Sequence, residues 1–251
     1  MTGSWMTRYL AEFLGTAVFI VFGNGSVANS FLKKTTANGK DGQANGGWIF
    51  IALGFGFGVM IPAMMFGSIS GNHINPAITI AKAAAGAFPW SHVTQYIIAQ
   101  MLGAIVGQLL VVAIYWPYFR ETTNGEGQIF SCFATGETLN NKLNGFIAEF
   151  IGTAILVFTC TGIYSGVFFK QSVDIANVGV GFIIMALVIA DGGPTGPALN
   201  PARDLGPRIV HAILPIPNKG SSNWDYSWVP VIAPILGALV GIFIYKLCFK
   251  M

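Results

Sequence analysis

Two tripeptides, Asn75-Pro76-Ala77 and Asn200-Pro201-Ala202, concentrate the chemistry this sequence can offer. Proline has no amide hydrogen and its fixed φ suits the first turn of a helix, while the preceding asparagine supplies a side-chain cap. Each tripeptide therefore predicts a helix start whose positive dipole end carries a carboxamide donor. Such groups break no covalent bond; they hold an oxygen by hydrogen bonding. One copy alone reads equally well as an ordinary capped helix. A second copy at a matching place argues against that reading.

Arg203 follows the second tripeptide directly. A guanidinium in an apolar segment is costly and faces either a cavity or a partner. The competing reading is an ion pair with Asp204, or a bond to a loop carbonyl. Glu12 and Glu149 must also accept donors from protein, as scaffold or, alternatively, as a proton relay. His73 lies two residues before Asn75, where it either packs and caps the loop or touches a solute. No Ser/His/Asp set, paired carboxylates or nucleotide loop supports an enzyme. Cys132, Cys160 and Cys248 lack metal or CxxC spacing, and no histidine pair has metal spacing, so no metal site is expected.

The elements that must position these groups are set by apolarity. Hydrophobic residues make up 53% of the 251 and charged ones 9%, and the mean hydropathy is +0.63. Soluble domains average about a quarter charged residues, so lipid is the expected solvent. The 32 glycines suit tight packing between membrane helices. A net charge of +3 without any basic run excludes a nucleic-acid partner. The segment after Arg8 continues apolar for a full span, unlike a cleavable signal peptide.

Six stretches approach the length of a bilayer crossing: 8–28, 47–69, 93–117, 144–168, 176–192 and 227–248. The fifth is short and interrupted by Gly192-Gly193-Pro194. Segments 75–87 and 200–213 have a helical pattern but are too short to cross. Stretches 29–46, 118–143 and 214–226 read as solvated loops. The chain also repeats: Ala11-Glu12-Phe13-Leu14-Gly15-Thr16-Ala17 returns as Ala148-Glu149-Phe150-Ile151-Gly152-Thr153-Ala154. Three crossings per copy force the second copy to insert upside down. The expected fold is an all-α membrane protein with six transmembrane helices and two re-entrant half-helices. It forms one channel-like domain over 1–251, with inverted repeats 1–117 and 144–251 joined by an extramembrane loop 118–143. Interrupted segments at matching places point to a site at the midplane.

An even span count puts both termini on one side. Arg8, Lys170, Lys246 and Lys250 favour the cytoplasm, with Lys82 just inside it, although Lys33, Lys34, Lys40, Lys142 and Lys219 lie on the opposite loops.

The chain resembles the major intrinsic protein family, the aquaporins and aquaglyceroporins, over nearly its whole length. The resemblance rests on Ala-Glu-Phe-Leu-Gly-Thr at 11–16, Ser-Gly-Asn-His-Ile-Asn-Pro-Ala at 70–77 and Ala-Leu-Asn-Pro-Ala-Arg-Asp-Leu-Gly-Pro at 198–207. It implies a passive channel that excludes protons and ions, one pore per subunit of a homotetramer, no cofactor and a place in the cell membrane. Half-helix dipoles and a pore Arg form the barrier in such channels. It further implies that Arg203 lines the narrowest part of the pore, that Glu12 and Glu149 hold the pore loops, and that His73 lies near the inner half.

Family offsets from the motifs place four selectivity positions on Phe55, Val188, Pro197 and Arg203. Strict water channels resemble Phe-His-Cys/Thr-Arg and glycerol facilitators Trp-Gly-Phe-Arg; this chain matches neither. Loss of the His removes a donor and bulk, and Val with Pro makes an apolar wall that favours solutes carrying carbon. Asp204, Arg208, Tyr115 and Pro230-Val231 also resemble glycerol facilitators. The expectation is thus an aquaglyceroporin-like facilitator for glycerol, water and other small uncharged solutes, including urea, hydrogen peroxide and protonated lactic acid. The alternatives are a water-selective aquaporin, a proton-coupled carrier, or a junction protein on a channel scaffold.

Overall fold

A computed structural model describes residues 3–38, 47–165 and 173–249. Lys40, Lys170 and Lys250, used above for orientation, lie outside the described residues. The helices are α1 (Trp5–Phe31), α2 (Gly47–Ser70), α3 (Pro76–Ala84), α4 (Val93–Glu121), α5 (Glu126–Ser131), α6 (Lys142–Ser165), α7 (Val173–Thr195), α8 (Pro201–Ile213) and α9 (Val229–Phe249). Among the described residues, six helices are long and apolar enough to cross a membrane: α1, α2, α4, α6, α7 and α9. Each overlaps one of the six expected spans; residues 166–168 of the fourth lie outside the described residues. The two expected half-helices, α3 and α8, begin at the expected prolines.

The spanning helices are inside-out by the standards of a soluble protein. Leu10, Leu14, Ile98, Leu102, Ile147 and Ile151 are exposed, while Glu12, Thr16, Gln100, Glu149 and Thr153 are buried on the same helices. Apolar side chains point out of the bundle, and polar ones find partners within it.

Within each half the packing is the same. Helix α1 lies against α2 and α4, and α6 lies against α7 and α9. Helices α2 and α7 join the halves, while α3 packs on α9 and α8 on α4, each half-helix lodged against the other half. The contact of α1 with α4 depends on Gly103, where a Cβ would run into the carbonyl of Phe13. Gly237 stands likewise over the carbonyl of Phe150. Phe13 and Phe150 are matching residues of the repeat, so the same close helix approach is built twice.

Two expectations are corrected. Helix α7 does not stop at Gly192-Gly193-Pro194 but continues to Thr195. Pro194 lies in the last turn, where the Gly196 amide still closes on the Gly192 carbonyl at 2.9 Å, and the carbonyl of Pro194 accepts from the Thr138 amide at 3.0 Å. A proline so close to the helix end removes one bond without breaking the element. The second correction concerns 118–143, which is solvated only in part, with 126–128 and 138–143 exposed. Helix α4 runs to Glu121, and Phe119, Thr122, Ile129, Cys132, Phe133, Ala134 and Thr135 are buried. Its apolar side chains cover the bundle end, and its backbone enters the site.

The 85–92 connection marks one end of the bundle, called here the terminal end. Trp5 stacks on His92 there at 3.4 Å between ring centroids. Lys246, near the close of α9, donates to the Ala85 carbonyl at 2.9 Å.

Candidate functional site: the path between two half-helices

Asn75 and Asn200 are the caps of α3 and α8. The Asn75 side-chain oxygen accepts from the Ala77 amide at 2.9 Å, and that of Asn200 accepts from Ala202 at 3.0 Å and Arg203 at 3.3 Å. Across the junction, Asn75 Nδ2 donates to the Leu199 carbonyl and Asn200 Nδ2 to the Ile74 carbonyl, both at 2.8 Å. One hydrogen of each carboxamide is thus committed to the opposite half. Each amide carries a second, and both Asn75 and Asn200 line a cavity.

The carbonyls of Ile74 and Leu199 are aimed by unusual backbone. Both residues have positive φ, 40° and 53°, a conformation that costs a branched side chain about 1–3 kcal/mol. The buried glutamates hold it. Glu12 accepts from the amides of His73 (2.9 Å) and Ile74 (2.7 Å), from Ser70 Oγ (2.7 Å) and from Gln100 Nε2 (2.8 Å). Glu149 accepts from the amides of Ala198 and Leu199 and from Thr195 Oγ1, all at 2.8 Å. These donors occupy both oxygens of each carboxylate, the geometry of a scaffold. His73 joins the same frame: its Nδ1 lies 3.1 Å from Thr79 Oγ1 and its ring packs on Phe88 and Tyr96, while it also lines the cavity. Both readings of that histidine have geometric support.

Two cavities meet along the bundle axis. One, of about 420 Å³, reaches from Lys82, Ala85 and Lys246 at the terminal end past Asn75 and Asn200 to Arg203. The other, of about 630 Å³, opens at the opposite end among Trp48, Phe130, Glu137 and Asn223. Among the described residues, four line both: Phe55, Val188, Pro197 and Arg203. These are the four positions located from the sequence, brought together from α2, α7, the 196–200 loop and α8.

Arg203 is buried, with its guanidinium carbon 4.6 Å from the centre of the Phe55 ring. It donates from Nη1 to the Phe133 carbonyl at 3.2 Å, while its buried Nε has no protein partner. The reading of Arg203 as an ion pair with Asp204 is corrected, because Asp204 is taken by Arg208 at 2.8 Å. A loop carbonyl is indeed a partner, yet Arg203 also faces both cavities.

Sequence reasoning missed what holds the mouth. Phe133 offers its carbonyl to Arg203 and to Asn24 Nδ2 (3.1 Å), and Gln108 Nε2 holds the Cys132 carbonyl at 3.2 Å. Asn24 and Gln108 are bonded to each other at 2.6 Å. Polar residues in the middle of apolar spans were the available signal. Arg208 bonds the carbonyls of Thr135, Ser222 and Asn223, each at 2.8 Å, and Asp204 accepts from the Thr135 amide and hydroxyl at 2.7 Å. Trp48 Nε1 donates to the Val188 carbonyl at 2.6 Å. Chemically, the arrangement offers a narrow passage with an aromatic face, apolar walls and fixed donors. Among the described residues no cluster of His, Cys, Asp and Glu could hold a metal ion.

Comparisons with known proteins agree with this geometry. Over 99% of both chains, the sequence is 62% identical to a glycerol uptake facilitator protein-like 5 of Lactiplantibacillus plantarum. It is 40% identical to the glycerol facilitator-aquaporin gla of Lactococcus lactis subsp. cremoris, covering 99% of this chain and 100% of the relative. The fold superposes on the X-ray structure of the aquaglyceroporin from Plasmodium falciparum with a TM-score of 0.82 at 28% identity, over 97% of this chain and 96% of that one. Residues 2–245 match the profile of the family described as Major intrinsic protein, and a multi-pass helical chain with this coverage belongs to that family.

Proposed function

We propose that the chain is a passive, aquaglyceroporin-like channel for glycerol, water and other small uncharged solutes, with Phe55, Val188, Pro197 and Arg203 as its selectivity filter. The observation that carries this reading is that those four residues form the described lining shared by two cavities open to opposite ends. The names of the relatives, a glycerol uptake facilitator-like protein and a glycerol facilitator-aquaporin, support glycerol as solute. Phe55 gives a polyol's carbon face a ring, and the Arg203 guanidinium, which lines both cavities, supplies donors for its oxygens. Val188 and Pro197 in place of a polar and an aromatic residue leave a wider apolar wall, which suits urea, hydrogen peroxide and protonated lactic acid.

Ions are refused for two reasons. Arg203 repels cations, and the α3 and α8 N-termini present positive dipole ends at the Asn pair. Asn75 and Asn200 can each donate their second amide hydrogen to a passing water oxygen and so interrupt a proton-conducting chain. The working unit is a homotetramer in the cell membrane, with four separate pores and both termini cytoplasmic; the exposed apolar helix faces fit lipid or a neighbouring subunit.

Stopped-flow light scattering on proteoliposomes tests the reading, with glycerol, water, urea and lactic acid in turn. Glycerol flux above that of protein-free vesicles is expected, and lactic acid flux should rise as pH falls toward the acid's pKa. Glycerol flux equal to the protein-free rate would remove the facilitator assignment; lactate flux that follows carboxylate concentration would remove that solute.

A further inference from the structure

Of the four residues shared by the two cavities, Phe55 alone carries an aromatic ring, and little of that ring is free. Phe19 meets it edge-on at 5.9 Å between centroids, and the Arg203 guanidinium lies over it. On α1, Gly23 makes room for it, since a Cβ there would run into the ring. Phe55 is left 6% exposed. Val188 and Pro197 carry no π face. The four positions by themselves thus present a carbon-bearing solute with only the margin of one ring.

A second ring stands next to them. Trp48 lies in the first turn of α2, seven residues before Phe55. Two helical turns put both on one face of the helix, about 10 Å apart along its axis, and both line the outer cavity. Trp48 Nε1 donates to the Val188 carbonyl at 2.6 Å. A Cβ on Gly192 would stand 2.5 Å from both Nε1 and Cζ2 of the indole, and one on Gly196 would come within 3.9 Å of Cη2. The indole therefore extends along α7 from Val188 toward Gly196, the residue before Pro197. It is fixed by a filter residue's carbonyl and fitted against a glycine, while Trp48 stays 37% exposed.

An ordinary explanation for a tryptophan at the end of a span is anchoring at the membrane interface. Trp90, Trp224 and Trp228 suit that role, being exposed and lining neither cavity. Trp48 differs from them. Its N–H is turned inward to a backbone carbonyl, and its ring borders the passage.

We propose that Trp48 is a further selectivity residue, forming with Phe55 an aromatic subsite on the outer approach for the C–H face of a small neutral polyol. The polyol's hydroxyls are then free to bond Glu137 and Asn223, which line the same cavity. A π face attracts C–H edges; water has none to offer, so the subsite favours polyol over water. This rests on the channel reading above and assigns part of its selectivity to a residue outside the shared wall.

The test uses the full-length protein in vesicles, with glycerol and water permeabilities measured by stopped flow and normalised to reconstituted protein. Trp48→Leu removes the ring and should lower the ratio of glycerol to water permeability about fivefold, through a fall in glycerol permeability. Trp48→Phe keeps a ring but not the N–H, and should hold the ratio within about twofold of wild type. Should Trp48→Leu give vesicles that conduct no water, Trp48→Met repeats the measurement with another apolar, ringless side chain. An unchanged ratio in the ringless variant would overturn the subsite, as would a ratio lowered only by faster water. Equal losses in Trp48→Phe and the ringless variant would also overturn it, because they would trace the effect to the Val188 bond and not to the ring. Wild-type glycerol permeability no higher than in protein-free vesicles would instead reject the channel reading itself.

Discussion

At Asn75 and Asn200 the two half-helices start with nearly the same backbone, φ −155° and ψ 118° against φ −156° and ψ 111°, and then diverge. Thr79 and Asp204 hold the same place after each Asn. Thr79 bonds Asn75, Gln100 and His73 through its hydroxyl, a neutral network. Asp204 is a fully buried carboxylate shared by Arg208 and Thr135. The preceding position is Ile78 in one half and Arg203 in the other. Where the halves meet, symmetry is kept, because each needs the other's cap and carbonyl. Away from the junction nothing enforces symmetry. There α3 and α8 face different mouths and carry different charges.

The comparison can be broken most severely at Asp204. Asp204→Asn leaves the Arg208 guanidinium buried without its counter-charge, which costs about 3–5 kcal/mol. A sharp loss of folded protein by size-exclusion and thermal unfolding in detergent is expected, whereas Thr79→Val should cost markedly less. Equal losses would mean that the two positions do the same job.

A smaller effect tests the shared part. Glu12→Gln and Glu149→Gln each turn a backbone N–H acceptor into a donor, at about 1–3 kcal/mol for each amide left without a partner. Glu12 also receives Gln100, and Glu149 has no such fourth donor among its bonds. The Glu12 variant should therefore unfold at the lower temperature, with glycerol flux reduced in both. The reverse order would show that Gln100 reorients at no cost.

The smallest effect concerns selectivity rather than stability. Val188→His adds bulk and a donor beside Arg203, and should lower the ratio of glycerol to water permeability about tenfold, equivalent to about 1.4 kcal/mol. An unchanged ratio would place the discriminating contact away from the wall shared by the two cavities.

Much of the scaffold was legible before any coordinates. Apolar runs of bilayer length gave the spans, because lipid imposes both length and composition on a helix. Asn-Pro gave the half-helix starts, because capping and a missing amide are local properties. The end of α7 was misjudged, because whether a late proline ends a helix depends on the neighbours that take up its carbonyl, here Thr138. The 118–143 segment was misjudged in part, for a related reason. Its Gly, Asn and Glu content reads as solvated, yet Asn24, Gln108, Asp204 and Arg208 from distant helices satisfy its backbone inside the protein.

The sequence by itself determined that this chain crosses a membrane six times, repeats itself upside down, and opens two half-helices with a proline and an asparagine. Those are consequences of local chemistry and of solvent. Only the tertiary structure decided that Asn75 reaches Leu199 and Asn200 reaches Ile74, and that Arg203 bonds Phe133 and leaves Asp204 to Arg208. It alone shows Lys82 facing a cavity with no described carboxylate in its lining. The bonds of Asn75, Asn200 and Arg203 depend on which buried donor finds which acceptor across more than sixty residues of chain, a choice made by packing and not by any residue alone.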